Sequence, residues 1–377
     1  MEFLFLTDEQ KMMRDTVQRF IQNDVIPIEQ KIGALAAEVP HEYIVSLQKK
    51  AKQMGFWQMG ARPEWGGAGL DIFSRTVVME EASRHRFGLM CPGLNAFGQE
   101  IPSVVMKSPS PLNEKMIKPA VESGAGCFLA VDVSPNFIAR REGDNGWLIS
   151  GRQKFVGNAD KAALGLIWAK MDGSEEAGLF LVENDKSIRS TPIVVMRTIR
   201  LFHVSLEDYQ VPADSCLGSG NELVVELLQE LQILLAARCL GIAREALRLG
   251  TEYATQRETF GKLLETREAI QDMVADSMVA LESARLLTWV TAQKQSRGEA
   301  SADEVAMAKL NATETAFRIV DQMIQIHGGM GITQEVTLER WYRELRLTRI
   351  QLVPSEIIRQ RLALISFQKY HTPKSRP

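Results

Sequence analysis

The hydrophobic period changes twice along this chain, and that limits its fold more than any other feature. Over the first 120 residues or so, apolar side chains recur at helical spacing. Met12, Met13, Val17, Phe20 and Ile21 follow Thr7-Asp8-Glu9-Gln10, which has the form of a capping box. A second helix is expected from about Pro40 to Met54 and a third through residues 74–90, with the glycine-rich turn PEWGGAGL between them. From about residue 124 the runs shorten. GWLIS, QKFVG, LGLIWAK, AGLFLVEN, TPIVVM and HVSLEDYQV are rich in β-formers and are separated by turn signals such as GDNG and DGSEE. No crossover helix fits between them, so an antiparallel sheet is expected. Long helical patterns return from Ser219, and in residues 266–294 one stripe carries Ile270, Met273, Val274, Met278, Leu281 and Leu287. Helices of that length suit a bundle. The class is α+β. Its parts are an N-terminal helical domain (1–121), a central antiparallel β domain (122–217) and a C-terminal four-helix bundle (218–377).

At 377 residues the chain is too long for one small core. The net charge of −3 comes from nearly balanced acids and bases, with no basic tract to attract nucleic acid. No apolar run approaches a membrane span of about 20 residues. The four cysteines and five histidines are scattered without metal-ligand spacing, which points to a reducing compartment and no metal site. The opening MEFLFLTDEQ turns acidic at once and lacks the shape of a signal peptide, so a cytoplasmic protein is expected.

Two short motifs carry possible chemistry. TQRETFGKLL (255–264) ends a helix in a Phe-Gly turn. Its Arg257 suits a bidentate grip on phosphate, and equally suits a solvated helix end. IQIHGGMGIT (324–333) is a glycine-dense break between helices. Gln325 offers an amide there, and Gly328, Gly329 and Gly331 offer backbone N–H groups to an anion or simply make a turn. His327, standing alone, reads as a structural histidine.

Taken in order, WGGAGL near residue 65, EDYQVPADSCLG at the end of the β region, QRETFGKLL and QIHGGMGIT resemble the acyl-CoA dehydrogenase family over nearly the whole chain. The resemblance implies an acyl-CoA dehydrogenase-like fold, assembled as a tetramer that binds FAD between subunits. It implies that Arg257 and Phe260 reach the pyrophosphate and adenine end of a neighbouring subunit's FAD. It also implies that Gln325 and Gly329 touch the same cofactor. The implied partners are an acyl-CoA substrate and an electron-transferring flavoprotein.

The sequence departs from the family pattern at the chemistry. Members usually read Arg-Ile-Tyr-Glu-Gly-Thr-Ser-Glu-Ile where this chain reads Arg349-Ile350-Gln351-Leu352-Val353-Pro354-Ser355-Glu356-Ile357. The family's glutamate removes the substrate's α-proton, and Leu352 cannot. Pro354 is expected at the first position of a new helix. Some members carry the base instead on the first long helix of the C-terminal domain. Counting back from Phe260-Gly261, that position is Leu231, followed by Gln232. Glu230 is adjacent but turned by about 100°, so it is expected to face away. The Thr-Glu-Pro-x-x-Gly-Ser-Asp loop of the family is missing from AVDVSPNFIARREGDNGW. The family's Trp-Ile-Thr corresponds to Phe155-Val156-Gly157, with Asn158 kept.

The sequence therefore describes a flavoprotein oxidoreductase on the CH–CH bond of a CoA thioester, with an atypical or absent base. Glu100, near Asn95 and Cys91 in CPGLNAFGQEIP, is the one candidate carboxylate in the segment that by resemblance lines the acyl cavity. Its plainer reading is an exposed or capping residue. The alternatives are a non-catalytic half-site subunit in a heterotetramer with a homologue, FAD being shared or lost, and a reductase or elimination enzyme on the same scaffold. A binding protein with no flavin is the reading from a different class.

Overall fold

In the computed structural model, residues 6–370 are described, apart from residues 37, 109, 144 and 145. Helix α1 (Asp8–Phe20) opens on Thr7, and the capping box with Gln10 is present in both directions. Helix α2 spans His41–Gln53, close to its expected place, whereas α3 spans Ile72–Ala82 and gives way to turns well before the expected end at residue 90. Shorter turns of helix carry the chain from residue 92 to Ser123.

Helix α3 is the hub of the N-terminal half. Residues 73–82 are all buried, although Arg75, Glu80 and Glu81 are among them. Such charges persist in a core only when paired. Glu80 accepts from Arg244, Arg285 and the indole of Trp289, so helices beyond the sheet satisfy it. The approach is close because a Cβ at Gly241 would meet the Glu80 carbonyl at 2.1 Å.

Eight strands form one sheet: β1 (Cys127–Ala130), β2 (Phe137–Glu142), β3 (Gly146–Gly157), β4 (Leu164–Met171), β5 (Ala177–Glu183), β6 (Arg189–Val195), β7 (Ile199–Pro212) and β8 (Cys216–Ser219). Their order is β6-β7-β3-β2-β4-β5-β8. The hairpins are antiparallel as expected, but β1 and β2 both run parallel to β4. Cys127–Ala130 pair with Leu164–Ile167, and Phe137–Ala139 continue along Ala169–Met171. The two strands are thus one line on one edge of β4, broken by residues 131–136. No crossover helix is needed, because β3 lies between β2 and β4 in sequence and returns the chain. Part of the GDNG turn lies outside the described residues.

The C-terminal part holds α4 (Glu222–Gln256), a small hairpin of β9 (Glu258–Thr259) and β10 (Lys262–Leu263), α5 (Glu268–Ser296), α6 (Ala302–His327), α7 (Leu338–Thr348) and α8 (Ser355–Tyr370). The bundle core gathers Leu235, Leu240, Ile242, Leu281, Ile319, Met323 and Trp341. Helix α4 meets α6 where a Cβ at Gly250 would strike the Met323 sulfur. The expected stripe of α5 is only partly internal. Leu281 is buried while Met278 is exposed, because the helix turns Ser277, Ala284, Arg285 and Thr288 inward instead. Among the described residues, no helix is long and apolar enough to cross a membrane.

Candidate functional site

The hairpin after α4 carries Phe260 at its tip. Phe260 and Gly261 both have left-handed backbone, with φ of 49° and 74°. Two positive φ values in a two-residue loop make a type I′ turn, which favours Asn-Gly. A phenylalanine there is strained, and its side chain is 99% exposed. Folding alone gives no reason for that arrangement. Arg257 caps α4, its N–H bonded to the Tyr253 carbonyl, and is itself exposed. Among the described residues its guanidinium has no hydrogen bond or ion pair.

Gln325, at the end of α6, is also exposed, and so is Gly329 in the turn that follows. A Cβ at Gly329 would meet nothing, so its backbone is open to approach. The two motifs share one end of the bundle. Tyr253, one turn before Arg257, stacks on His327, two residues after Gln325, at 4.3 Å between ring centres. His327 donates from Nδ1 to the Met323 carbonyl, and burial depresses its pKa. It is a structural residue that ties the two motifs together. The exposed guanidinium, amide and glycine N–H groups form a surface that suits an anion.

The link at 349–354 is held from several sides. Leu352 has φ of 65°, and its half-buried side chain packs on the bundle core. The Ser355 N–H donates to the Arg349 carbonyl, and Arg349 pairs with Glu314 at 2.9 Å. Helix α8 begins at Ser355, so Pro354 precedes its first position rather than filling it. The Pro354 carbonyl accepts from the Ile358 N–H, which makes it a cap. Fully buried Lys309 donates to the Val353 carbonyl at 2.8 Å, and burial pushes its ammonium down to about 8. Leu231 is half-buried in a different apolar cluster, with Leu223 and Leu228. Neither position traditionally used for a base carries an ionisable group.

Glu100 is neither an exposed residue nor a helix cap. Its Oε2 lies 2.6 Å from Arg75, and the same guanidinium nitrogen reaches Glu230 at 2.7 Å. The second oxygen of Glu230 accepts the Ser103 N–H at 2.9 Å. Glu230 therefore turns inward to Arg75, with both oxygens engaged. Burial opposes the charge of Arg75, but its two carboxylates outweigh that and raise its pKa. Gly60 makes room, since a Cβ there would lie 2.8 Å from the Arg75 guanidinium carbon. Sequence reading found Glu100 but missed the cluster it joins, because Arg75 lies 25 positions from Glu100 and 155 from Glu230.

Phe155, Val156 and Asn158 mark the face expected to hold a flavin ring. Phe155 sits in a bulge of β3 with φ of 63° and is mostly exposed, while Val156 is buried. Asn158 donates to the Ala125 carbonyl, and Gln153 donates to the carbonyl of Val131 in the 131–136 loop. Two shallow cavities of about 380 and 360 Å³ lie elsewhere, one beside Lys170 and Asp172 and one between Trp57 and Trp65.

Comparison with known proteins agrees with this architecture. The family model described as acyl-CoA dehydrogenase, N-terminal domain, matches residues 7–101. The model described as acyl-CoA dehydrogenase, C-terminal domain, matches residues 218–365. The mitochondrial short-chain specific acyl-CoA dehydrogenase of Bos taurus is 32% identical, with 94% of this chain and 89% of the relative covered. The (R)-benzylsuccinyl-CoA dehydrogenase of Thauera aromatica is 28% identical over 95% of each chain. Butyryl-CoA dehydrogenase from Megasphaera elsdenii shares the fold at a TM-score of 0.82, with 23% identity and coverage of 96% of this chain and 99% of that one. With both domain models placed in order on the fold, and a relative at that identity along nearly its whole length, the chain belongs to the acyl-CoA dehydrogenase family.

Proposed function

We propose that the protein is a flavin-dependent member of this family that binds a CoA thioester and lacks the base for ordinary α,β-dehydrogenation. The observation that carries this reading is Leu352, fixed in a left-handed turn where family members place a carboxylate. The resemblance supplies FAD, and the exposed Arg257, Phe260, Gln325 and Gly329 fit its phosphate and adenine end. Among the described residues the side chains of Arg257 and Gln325 make no hydrogen bond or ion pair, and all four residues are exposed, as donation to a neighbouring subunit requires. FAD, when bound, supplies the hydride acceptor for a CH–CH bond. The chain's own part is to bind, orient and exclude water, since none of Leu231, Leu352 or Val353 can take a proton. The protein acts in the cytoplasm as a tetramer, with an electron-transferring flavoprotein as the redox partner.

The test is bound flavin. The purified protein should be yellow, and its FAD should be lost when subunit association is blocked. A monomer that keeps a full complement of FAD would overturn the shared site.

A second reading is favoured by one asymmetry. Outward contacts at Arg257 and Phe260 persist, while the Thr-Glu-Pro loop is absent and Phe155 and Gly157 stand beside the expected ring position. Those features suit a subunit that completes a homologue's site rather than its own. Expression with a neighbouring homologue should then yield a mixed tetramer whose FAD occupancy exceeds that of this chain alone.

A further inference from the structure

Helices α4 and α6 end together at the face that carries the two exposed motifs, and their spacing changes just before it. At Gly250 they touch, since a Cβ there would lie 2.2 Å from the Met323 sulfur. One turn later the rings of Tyr253 and His327 stand between them, with centres 4.3 Å apart and planes 20° from parallel. The stacked rings are a wedge placed where each helix gives way to its motif. Arg257 follows Tyr253 by one turn, and its N–H donates to the Tyr253 carbonyl at 2.9 Å. Gln325 and Gly329 flank His327 on the other side.

Each ring is anchored to the bundle, and each motif is anchored to its ring. His327 Nδ1 donates to the Met323 carbonyl at 2.7 Å, one turn back on the same helix, which fixes the plane of the imidazole. Tyr253 is half-buried and packs on the bundle core, as does Leu264. The Leu264 N–H closes the Phe260 hairpin on the Arg257 carbonyl at 2.9 Å, and Arg267 donates to the Thr259 carbonyl at 2.6 Å. On α6 the glycine turn folds back on the histidine. A Cβ at Gly331 would lie 2.7 Å from the Ile324 carbonyl oxygen and 3.0 Å from the His327 Cβ. Filling space does not require such a pair. Two aliphatic side chains would occupy it with several rotamers and no plane, whereas stacked rings have a fixed thickness. A fixed thickness matters where the separation of the groups beyond it matters.

We propose that Tyr253 and His327 are positioning residues for FAD. Their stack sets the gap between the Arg257–Phe260 hairpin and the Gln325–Gly329 turn, so that both hold one dinucleotide at the same time. Neither ring needs to touch the cofactor. Donors mounted on two separate segments act together only when they are held within about 0.5 Å of the productive geometry. This inference rests on the shared-FAD reading and adds what sets the affinity of that site.

The experiment dilutes the flavin-loaded protein and reads released FAD by its fluorescence, beside thermal melts of the same proteins without flavin. His327→Leu should hold FAD about tenfold or more weakly, the loss of one charge-assisted hydrogen bond, while its melting midpoint changes little. Tyr253→Leu should do the same and serves if His327→Leu does not fold. His327→Phe restores a ring for the stack and should keep FAD within about twofold of wild type. Ile319→Ala, in the bundle core about two turns back from His327, should melt lower and still hold FAD. Leucine variants that hold FAD as tightly as wild type overturn the proposal. So does a loss in His327→Phe equal to that in His327→Leu, which would give the imidazole itself the role. A loss of FAD in the leucine variants that Ile319→Ala matches at the same fall in melting makes the pair merely structural, and also overturns it. Wild type that carries no FAD at all overturns the shared-site reading itself.

Discussion

Lys309 reaches from the middle of α6 to the carbonyl of Val353, next to Leu352, at 2.8 Å. A buried ammonium thus holds the link that corresponds to the family's more usual base position. Lys309→Met should loosen residues 350–354, read as faster amide exchange there with the rest of the bundle unchanged.

The same lysine predicts a pH dependence. Its pKa is about 8 in the folded protein, against an ordinary lysine value of 10.5. A depressed pKa means that the unfolded chain binds the extra proton more tightly, so the stability contribution is present above 10.5 and lost as pH falls through 8. The stability of wild type relative to Lys309→Met should therefore rise between pH 8 and pH 10. Urea midpoints of both proteins across that window provide the check, and a flat difference would refute the assignment.

Leu352→Glu should not create a dehydrogenase. The new carboxyl would sit half-buried on an apolar core, which favours its neutral form. The flavin-side loop would still be missing, and a misplacement of about 1 Å can cost a hundredfold in rate. Short, medium and branched acyl-CoAs with an artificial electron acceptor should give rates far below the roughly 10 per second of ordinary enzymes.

Phe260→Asn separates stability from cofactor binding. Asparagine tolerates the left-handed turn, so the variant should be more stable by about 1 kcal/mol. It should nevertheless hold less FAD, because the exposed ring is gone. Arg257→Ala should lose FAD with no gain in stability. Flavin absorbance after desalting, set beside thermal melts, distinguishes the two.

Arg75→Met should destabilise by about 3–5 kcal/mol, since it strands two buried carboxylates. Gly60→Ala should be milder and act on the same guanidinium, which would have to shift from the new methyl group.

The helical, β, helical order was legible because it depends on local period, and the Thr7 cap because it depends on four adjacent residues. The outward motifs at Arg257 and Gln325 were legible for the same reason. What sequence could not reveal depends on distant partners. Arg75 looks like an ordinary charge in FSRTVVMEEA until Glu100 and Glu230 arrive from two other segments. The parallel pairing of β1 and β2 depends on β4, whose edge is fixed only when the sheet closes. Met278 fits the helical stripe, yet the packing of α5 against α3 and α6 turns smaller residues inward.

Because β1 and β2 lie end to end on the same edge of β4, the chain between them can lengthen or shorten without moving any strand in register. Residues 131–136 act as an expansion joint in the sheet. A change of length between β1 and β2 is absorbed without breaking either pairing to β4, so the loop beside the expected flavin face and the strands that carry it can vary independently.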